Sequence, residues 1–166
     1  MSELRTNRIV PRDGIPSGSS GGIIQIKQAY KTDQTTMSST SFADISGLSV
    51  AITPTRADSK ILITVHVYAS CDDAGVLGLM RDSTVIGAGA GGDAENSGFA
   101  MVRFTATNLG STFSTTYLDS PATTSATTYK VRGRPTSGSN NLHINRRSSS
   151  DGYKLTSSIT VMEVSG

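Results

Sequence analysis

Apolar and polar residues alternate along much of the chain from residue 23 onward. The clearest stretch is residues 60–70, where every second residue is aliphatic and would share one face of a strand: Ile61, Ile63, Val65 and Val67. The residues between them would share the other face: Leu62, Thr64, His66 and Tyr68. A period of two with β-branched residues is the pattern of a β-strand. Since the second face is also partly apolar, we expect a strand that is covered on both sides.

Similar short runs recur between Gly-, Ser- and Pro-rich turns. We predict strands over residues 23–28, 48–52, 76–86 (a hairpin), 99–106, 112–118, 127–133, 142–144 and 157–164. Ala100, Met101, Val102 and Phe104 repeat the two-sided apolar pattern. About eight to ten short strands without a helical period predict an all-β fold, a jelly roll or β-sandwich.

Residues 1–22 differ in composition from the rest of the chain. Pro11 and Pro16 disfavour a helix, and the run from Ser17 to Gly22 has the composition of a flexible linker. Six residues ahead of that linker offer charge or apolar surface: Leu4, Arg5, Arg8, Ile9, Val10 and Arg12. Such a segment has no core of its own, so we expect an extended arm that docks on another molecule.

Composition narrows the class of protein further. The chain has 166 residues, 36% hydrophobic and only 17% charged, with Gly at 17 and Trp at 0. This argues against coiled coils and helical bundles, and no apolar run is long enough for a membrane helix. The net charge of +2 is too small to indicate nucleic acid. Cys71 is the sole cysteine, so stability must come from packing or from association with other chains.

The sequence offers few candidates for catalysis or cofactor binding. Gly87 to Gly92 matches the dinucleotide pattern G-x-G-x-x-G, but strand-like sequence follows where a helix is needed, which favours a loop. His66 and His143 are the only histidines and lack paired metal-ligand spacing, and no serine sits in a G-x-S-x-G elbow. We therefore expect no enzyme activity, no cofactor and no metal.

A basic cluster with nearby tyrosines is the one candidate ligand surface in the domain. Its members are Tyr129, Arg132, Arg134, Arg146, Arg147 and Tyr153. A basic surface with aromatic residues is typical of sites for single-stranded nucleic acid or sugar. The alternative is a solvated loop face or a salt bridge to a neighbouring subunit, which we favour.

Four phrases carry a family resemblance: SELRTNRIVPRDGIPSGSSGGIIQI, SFADISGLSVAITPTRADSKILITVHV, LMRDSTVIG and SSITVMEVSG. The chain resembles short virion proteins of tailed bacteriophages, especially those of marine cyanophage type. The resemblance implies a fibre or decoration protein located in the virion. It implies a virion-attachment arm over residues 1–22 and a trimeric jelly roll of C1q/TNF type over residues 23–166.

Three readings of function follow from the residues and the resemblance together. The first is a short trimeric fibre of tail, neck or head, with virion proteins as partners and neither membrane nor nucleic acid among them. The second is a capsid decoration or cement protein. The third is a host-glycan-binding module, for which Tyr117, Tyr129 and Tyr153 are the aromatic candidates. A depolymerase is least favoured, because no paired acids are placed to cleave sugars.

Overall fold

The described part of the chain is built from β-strands alone. The computed structural model describes residues 22–90, 97–106, 108–149 and 152–165, and within them lie eleven strands and no helix. The strands are β1 Ile23–Lys31, β2 Thr35–Met37, β3 Ala43–Ile52, β4 Lys60–Cys71, β5 Ala74–Arg81, β6 Thr84–Ile86, β7 Ala100–Arg103, β8 Ser111–Asp119, β9 Thr127–Pro135, β10 Leu142–Ile144 and β11 Ser157–Val164. The all-β prediction is confirmed.

The first sheet is organised around the long strand β4. β8 pairs along one edge of β4, while β11 and then β10 pair along the opposite edge. β1 lies outside β11, and β2 lies outside β10. The sheet is therefore four strands wide, with β8 at one margin and β1 and β2 at the other.

The second sheet repeats this plan with fewer residues. Its order is β3, β9, β5, and the far edge of β5 is shared by β6 and β7. All pairs in both sheets are antiparallel, and the chain changes sheet at β2–β3, β3–β4, β4–β5, β7–β8, β8–β9 and β9–β10. Repeated crossing between two packed antiparallel sheets is the jelly-roll plan, so the predicted fold class is correct.

The core lies between the two sheets and follows the alternation of the sequence. On β4, Ile61, Ile63, Val65 and Val67 are completely buried, and Ile159 and Val161 of β11 lie beside them. The opposing layer comes from the second sheet: Val50, Ile52, Leu77, Leu79 and Val131. Full burial of one such side chain contributes about 1.5–3 kcal/mol, so the inward face of β4 is a main source of stability.

Two local features depart from the sequence prediction. β2 was not predicted, because Thr35–Met37 is too short and polar to show a period. β3 begins at Ala43, five residues before the predicted start at Leu48. The prediction missed these residues because a register shift between Asp44 and Ser49 interrupts the alternation. Gly47 lies in this irregular stretch at a φ of 82°, a conformation that side chains disfavour.

A buried carboxylate fastens the β3–β4 loop to the first sheet. Glu163 of β11 is completely buried and forms no ion pair with any of the described residues. Its Oε1 accepts hydrogen bonds from the backbone N–H and hydroxyl of Thr55 and from the hydroxyl of Ser59, each at 2.7 Å. Its Oε2 accepts one from the Gln25 amide at 2.6 Å. Burial raises the pKa of Glu163, but these hydrogen bonds outweigh it and hold the pKa below its ordinary value.

Replacing Glu163 by Gln should destabilise the fold by about 1.5–3 kcal/mol, because the amide cannot accept all four hydrogen bonds. The native carboxylate stabilises the fold above its ordinary pKa of 4.5, and this contribution is lost as the pH falls through the lower folded pKa. Urea unfolding of both proteins at about pH 7 and about pH 3 should therefore show a difference at neutral pH that shrinks in acid.

Asp58→Asn is the matched control in the same loop, since Asp58 is exposed and pairs with the exposed Arg56. It should leave unfolding unchanged. Equal unfolding of Glu163→Gln and the native protein at neutral pH would contradict the role of Glu163.

Candidate interaction surfaces

The outward side chains of the first sheet form aligned rows, because residues directly opposite each other in antiparallel strands point to the same side. One row runs through Ile26, Met162, Leu62 and Leu118. The next runs through Gln28, Thr160, Thr64 and Thr116. A third runs through Tyr30, Ser158, His66 and Ser114, and Tyr68 with Thr112 completes the set. We call these positions the outer face of the first sheet.

No Asp, Glu, Lys or Arg occupies any of the four rows. The first row is apolar in all four strands, although Ile26 and Leu118 remain 57% and 55% exposed. Just beyond it Ile23 pairs with Val164, and Val164 pairs in turn with Lys60, whose amine donates to the Ser120 hydroxyl at 2.9 Å. Depletion of charge together with exposed aliphatic surface is characteristic of the centre of a protein–protein interface.

The outer face of the second sheet is different in character. Asp44 of β3 pairs in register with Arg132 of β9, and Lys130, also on β9, forms an ion pair with Asp44 at 2.7 Å. Charged side chains thus cover the middle of this sheet. The contrast shows that the absence of charge is a property of one face and not of the whole molecule.

The two ends of the first sheet also differ. Ile23, Lys60, Leu118 and Val164 lie at the end where residue 22 enters the domain, which we call the arm end. Tyr30, Tyr68, Thr112 and Ser158 mark the opposite end, which we call the distal end. Lys60 and Tyr68 are eight positions apart on β4, so the two ends are separated by roughly 26 Å.

The predicted two-sided burial is seen only in part within one chain. The inward face of β4 is buried, whereas its other face is half-buried at Leu62 and exposed at His66. On β7, Val102 is buried and Met101 is 62% exposed. Ala100 and Phe104 pack partly against the core. Covering of the second faces by a neighbouring subunit stays a prediction.

Tyr129 does not belong to any surface, which corrects its place among the predicted ligand contacts. Its side chain is completely buried, and its hydroxyl donates to Asp119 Oδ2 at 2.7 Å. Arg81 Nη1 contacts both oxygens of Asp119 at 2.9 Å. Burial, followed by the hydrogen bond to Asp119, raises the pKa of Tyr129. The residue faces inward because it sits on the same side of β9 as Val131.

Arg132 and Arg134 hold the β2–β3 connection against the second sheet. The guanidinium carbon of Arg132 lies 3.9 Å from the ring centroid of Phe42, and that of Arg134 lies 5.4 Å from it. Arg134 also donates to the carbonyl of Thr40 at 3.1 Å and is only 7% exposed. Burial lowers the pKa of Arg132. These contacts give both arginines a structural role, and Arg134 has little surface left for a ligand.

Arg146, Arg147 and Tyr153 lie together at the distal end, in the connection between β10 and β11. The guanidinium carbon of Arg147 lies 3.8 Å from the ring centroid of Tyr153, which is 54% exposed. Arg146 Nε donates to the carbonyl of Arg147 at 3.2 Å. The structure therefore separates the predicted cluster into a buried tyrosine, a pair on the second sheet and this group.

Tyr117 packs beside the glycine-rich loop. Its ring lies where a side chain at Gly87 would contact it at 3.4 Å, and the two border an open cavity of about 460 Å³. Gly87 has a φ of 60° and leads out of β6 without a helix. Tyr117 is half-buried against the core, so it offers only part of its ring to a ligand. Residues 91–96, the rest of this loop, lie outside the described residues.

A polar chain connects three parts of the first sheet near β10. The Thr36 hydroxyl donates to His143 Nδ1 at 3.1 Å, and His143 Nε2 donates to Asp72 Oδ1 at 3.3 Å. Asp72 also accepts from Asn141 and from the Ser148 hydroxyl. Burial lowers the pKa of His143 despite the neighbouring Asp72, so the imidazole is neutral near pH 7. The order of groups is that of a proton relay, but each is engaged in fastening β2, β10 and the β4–β5 turn together.

The virion-attachment residues lie outside the described residues: Leu4, Arg5, Arg8, Ile9, Val10 and Arg12. In the described ranges, His, Cys, Asp and Glu side chains form no group of three or more that would hold a metal ion. Nor does this part of the chain contain a helix of transmembrane length and apolarity. Comparison with protein-family models and with curated proteins gives no match.

Tyr129→Phe tests the structural assignment of this residue. The change removes a hydrogen bond to a buried carboxylate and should lower the free energy of unfolding by about 1–2 kcal/mol. Denaturant unfolding measures it directly. Thr128→Ala, at the adjacent half-buried position, is the control and should have a smaller effect. Unchanged stability of Tyr129→Phe would show that its hydroxyl does not anchor Asp119.

Proposed function

We propose that this protein is a non-enzymatic structural component of a tailed-bacteriophage particle. It acts as a short trimeric fibre whose N-terminal arm, residues 1–22, attaches it to the virion. The resemblance of four sequence phrases to phage virion proteins supplies the class of protein. The jelly-roll fold agrees with this class but is shared by many functions, so the fold does not carry the proposal by itself.

The observation that best supports self-association is the outer face of the first sheet. Its four rows carry no formal charge, with Lys60 just beyond the apolar row, and depletion of charge over such an area is typical of the centre of a subunit contact. The apolar row of Ile26, Met162, Leu62 and Leu118 supplies the surface that association removes from water. The number of subunits, three, comes from the resemblance, and closed rotational symmetry is the usual way to satisfy one repeated contact.

The point where residue 22 enters the domain fits the same function. Residue 22 precedes β1 at the arm end, where Ile23 and Val164 adjoin the apolar row. Association through this row would bring the arms of neighbouring subunits close together. Three weakly binding arms at one end of a trimer would then bind the virion with a high effective concentration. A cement protein would need a comparable arm and falls under the same resemblance; its copy number and position in the particle would distinguish it from a fibre.

Leu118→Lys places a charge within the apolar row and should shift the protein from trimer to monomer, because an unpaired buried charge opposes association. Light scattering on the full chain should give three times the 17.3 kDa chain mass for the native protein and a single chain mass for the variant. Leu118 is 55% exposed, so the monomer should keep its β-sheet circular dichroism spectrum.

Ala51→Lys is the matched control, since Ala51 is an exposed apolar residue on β3 of the second sheet. It should remain trimeric. A native protein that is monomeric at micromolar concentration, or loss of the trimer in both variants, would contradict the proposed interface.

Deletion of residues 1–16 tests the attachment arm. The truncated protein should remain a folded trimer, because the buried hydrophobic residues of the described chain run from Ile45 to Val161. It should be missing from purified particles, because it lacks the proposed attachment segment. Tagged full-length and truncated proteins can be compared by immunoblotting of particles after phage growth. Normal incorporation of the truncated protein would refute attachment through the arm.

A further inference from the structure

The distal end carries an arginine–tyrosine stack that none of the core or interface contacts requires. Arg147 lies over the ring of Tyr153, with the guanidinium carbon 3.8 Å from the ring centroid. Tyr153 keeps 54% of its surface exposed, so the stack is presented to solvent. An exposed aromatic ring backed by a guanidinium is a flat, polar-edged platform.

The stack is held in position by contacts to three other segments. Arg147 Nη1 donates to the carbonyl of Asn108 at 3.2 Å, which joins it to the connection before β8. The Gln34 amide donates to the carbonyl of Tyr153 at 3.2 Å, which joins it to the β1–β2 turn. The Ser70 hydroxyl donates to the carbonyl of Arg146 at 2.9 Å. Pre-positioning of this kind reduces the entropy cost of binding a ligand.

A second exposed aromatic residue lies at the distal end. Tyr30 is 61% exposed, and its hydroxyl donates to the Thr156 hydroxyl at 2.9 Å, three residues from Tyr153. Lys154, also exposed, lies between Tyr153 and Thr156 in the sequence. Tyrosine rings with hydroxyl and amide groups at their edges match a sugar ring, which has apolar C–H faces and hydroxyl edges.

The charges around the platform select an anionic ligand. Arg146, Arg147 and Lys154 supply positive charge. Among the described carboxylates nearby, Asp33 pairs with Lys31 at 2.7 Å, while Asp72 keeps its charge and accepts hydrogen bonds from Asn141, Ser148 and His143, so the three cations outnumber it. Arginine binds carboxylate groups with paired, directional hydrogen bonds, so an acidic substituent on the sugar would bind here.

We propose that the platform of Arg147 and Tyr153 is a binding site for an acidic polysaccharide, with a uronate carboxylate on Arg147 and the sugar ring on Tyr153. Single-stranded nucleic acid fits less well, because it requires a continuous basic groove with successive stacking residues. The site lies about 26 Å from the arm end, so the arm and the glycan can be bound at the same time. This role is additional to the structural function and does not depend on it.

The test uses the full chain with alginate oligosaccharides as the acidic probe and dextran as the neutral one, measured by calorimetry. The native protein should bind alginate and not dextran. Tyr153→Ala and Arg147→Ala should each weaken binding by at least about fivefold, since stacking and charge act together. Tyr153→Phe keeps the ring and should bind within about twofold of the native protein, because only the hydroxyl is lost.

Arg56→Ala is the matched charge control. Arg56 is an exposed arginine in the β3–β4 loop, paired with Asp58, so its removal changes net charge equally without touching the platform. It should bind alginate like the native protein. The proposal is overturned if the native protein does not bind alginate, if Tyr153→Ala binds as well as native, or if Arg56→Ala loses as much affinity as Arg147→Ala. Tighter binding of an oligo-deoxythymidine than of alginate would also overturn it.

Discussion

The structure depends on the burial of aliphatic side chains between two antiparallel sheets. The inward residues of β4 have no exposed surface, and the opposing layer from β3, β5 and β9 covers them. A sheet has two faces, however, and a single sandwich can bury only the inner one of each. The character of each outer face is therefore set by what it meets, water or another molecule. Here charged side chains cover the middle of the second sheet, whereas the four outward rows of the first sheet carry none, which is the physical basis for proposing an assembly.

Polar groups inside the domain are stabilised by hydrogen bonds between segments distant in sequence. Glu163 gathers Gln25, Thr55 and Ser59, while Asp119 gathers Arg81 and Tyr129. A buried carboxylate without such partners would cost several kcal/mol. Each network joins two or more strands or loops, so the polar residues specify how connections attach to the sandwich while the aliphatic residues hold the sheets together. This division suits a chain with few cysteines and a low content of charge.

The two ends of the domain differ from each other, as its two outer faces do. The arm end combines the entry of the chain with the apolar row, and the distal end combines exposed tyrosines with arginines. Attachment, association and ligand binding would thus use separate surfaces of one small sandwich. Such separation lets each surface change without disturbing the core, because the outward side chains of a strand do not share packing with its inward ones.

The sequence by itself determined the class of fold and the faces of its main strands. Alternation in residues 60–70 is a local property, and it correctly separated Ile61, Ile63, Val65 and Val67 from the residues between them. The short strand β2 escaped prediction, because three residues cannot show a period. Only the tertiary structure decided which polar residues remain on the surface. Tyr129 and Arg134 looked like surface groups but are covered by Asp119 and by the segment of Thr40 and Phe42. Arg147 and Tyr153 stack in the open. Exposure depends on segments tens of residues away, so no local pattern contains it.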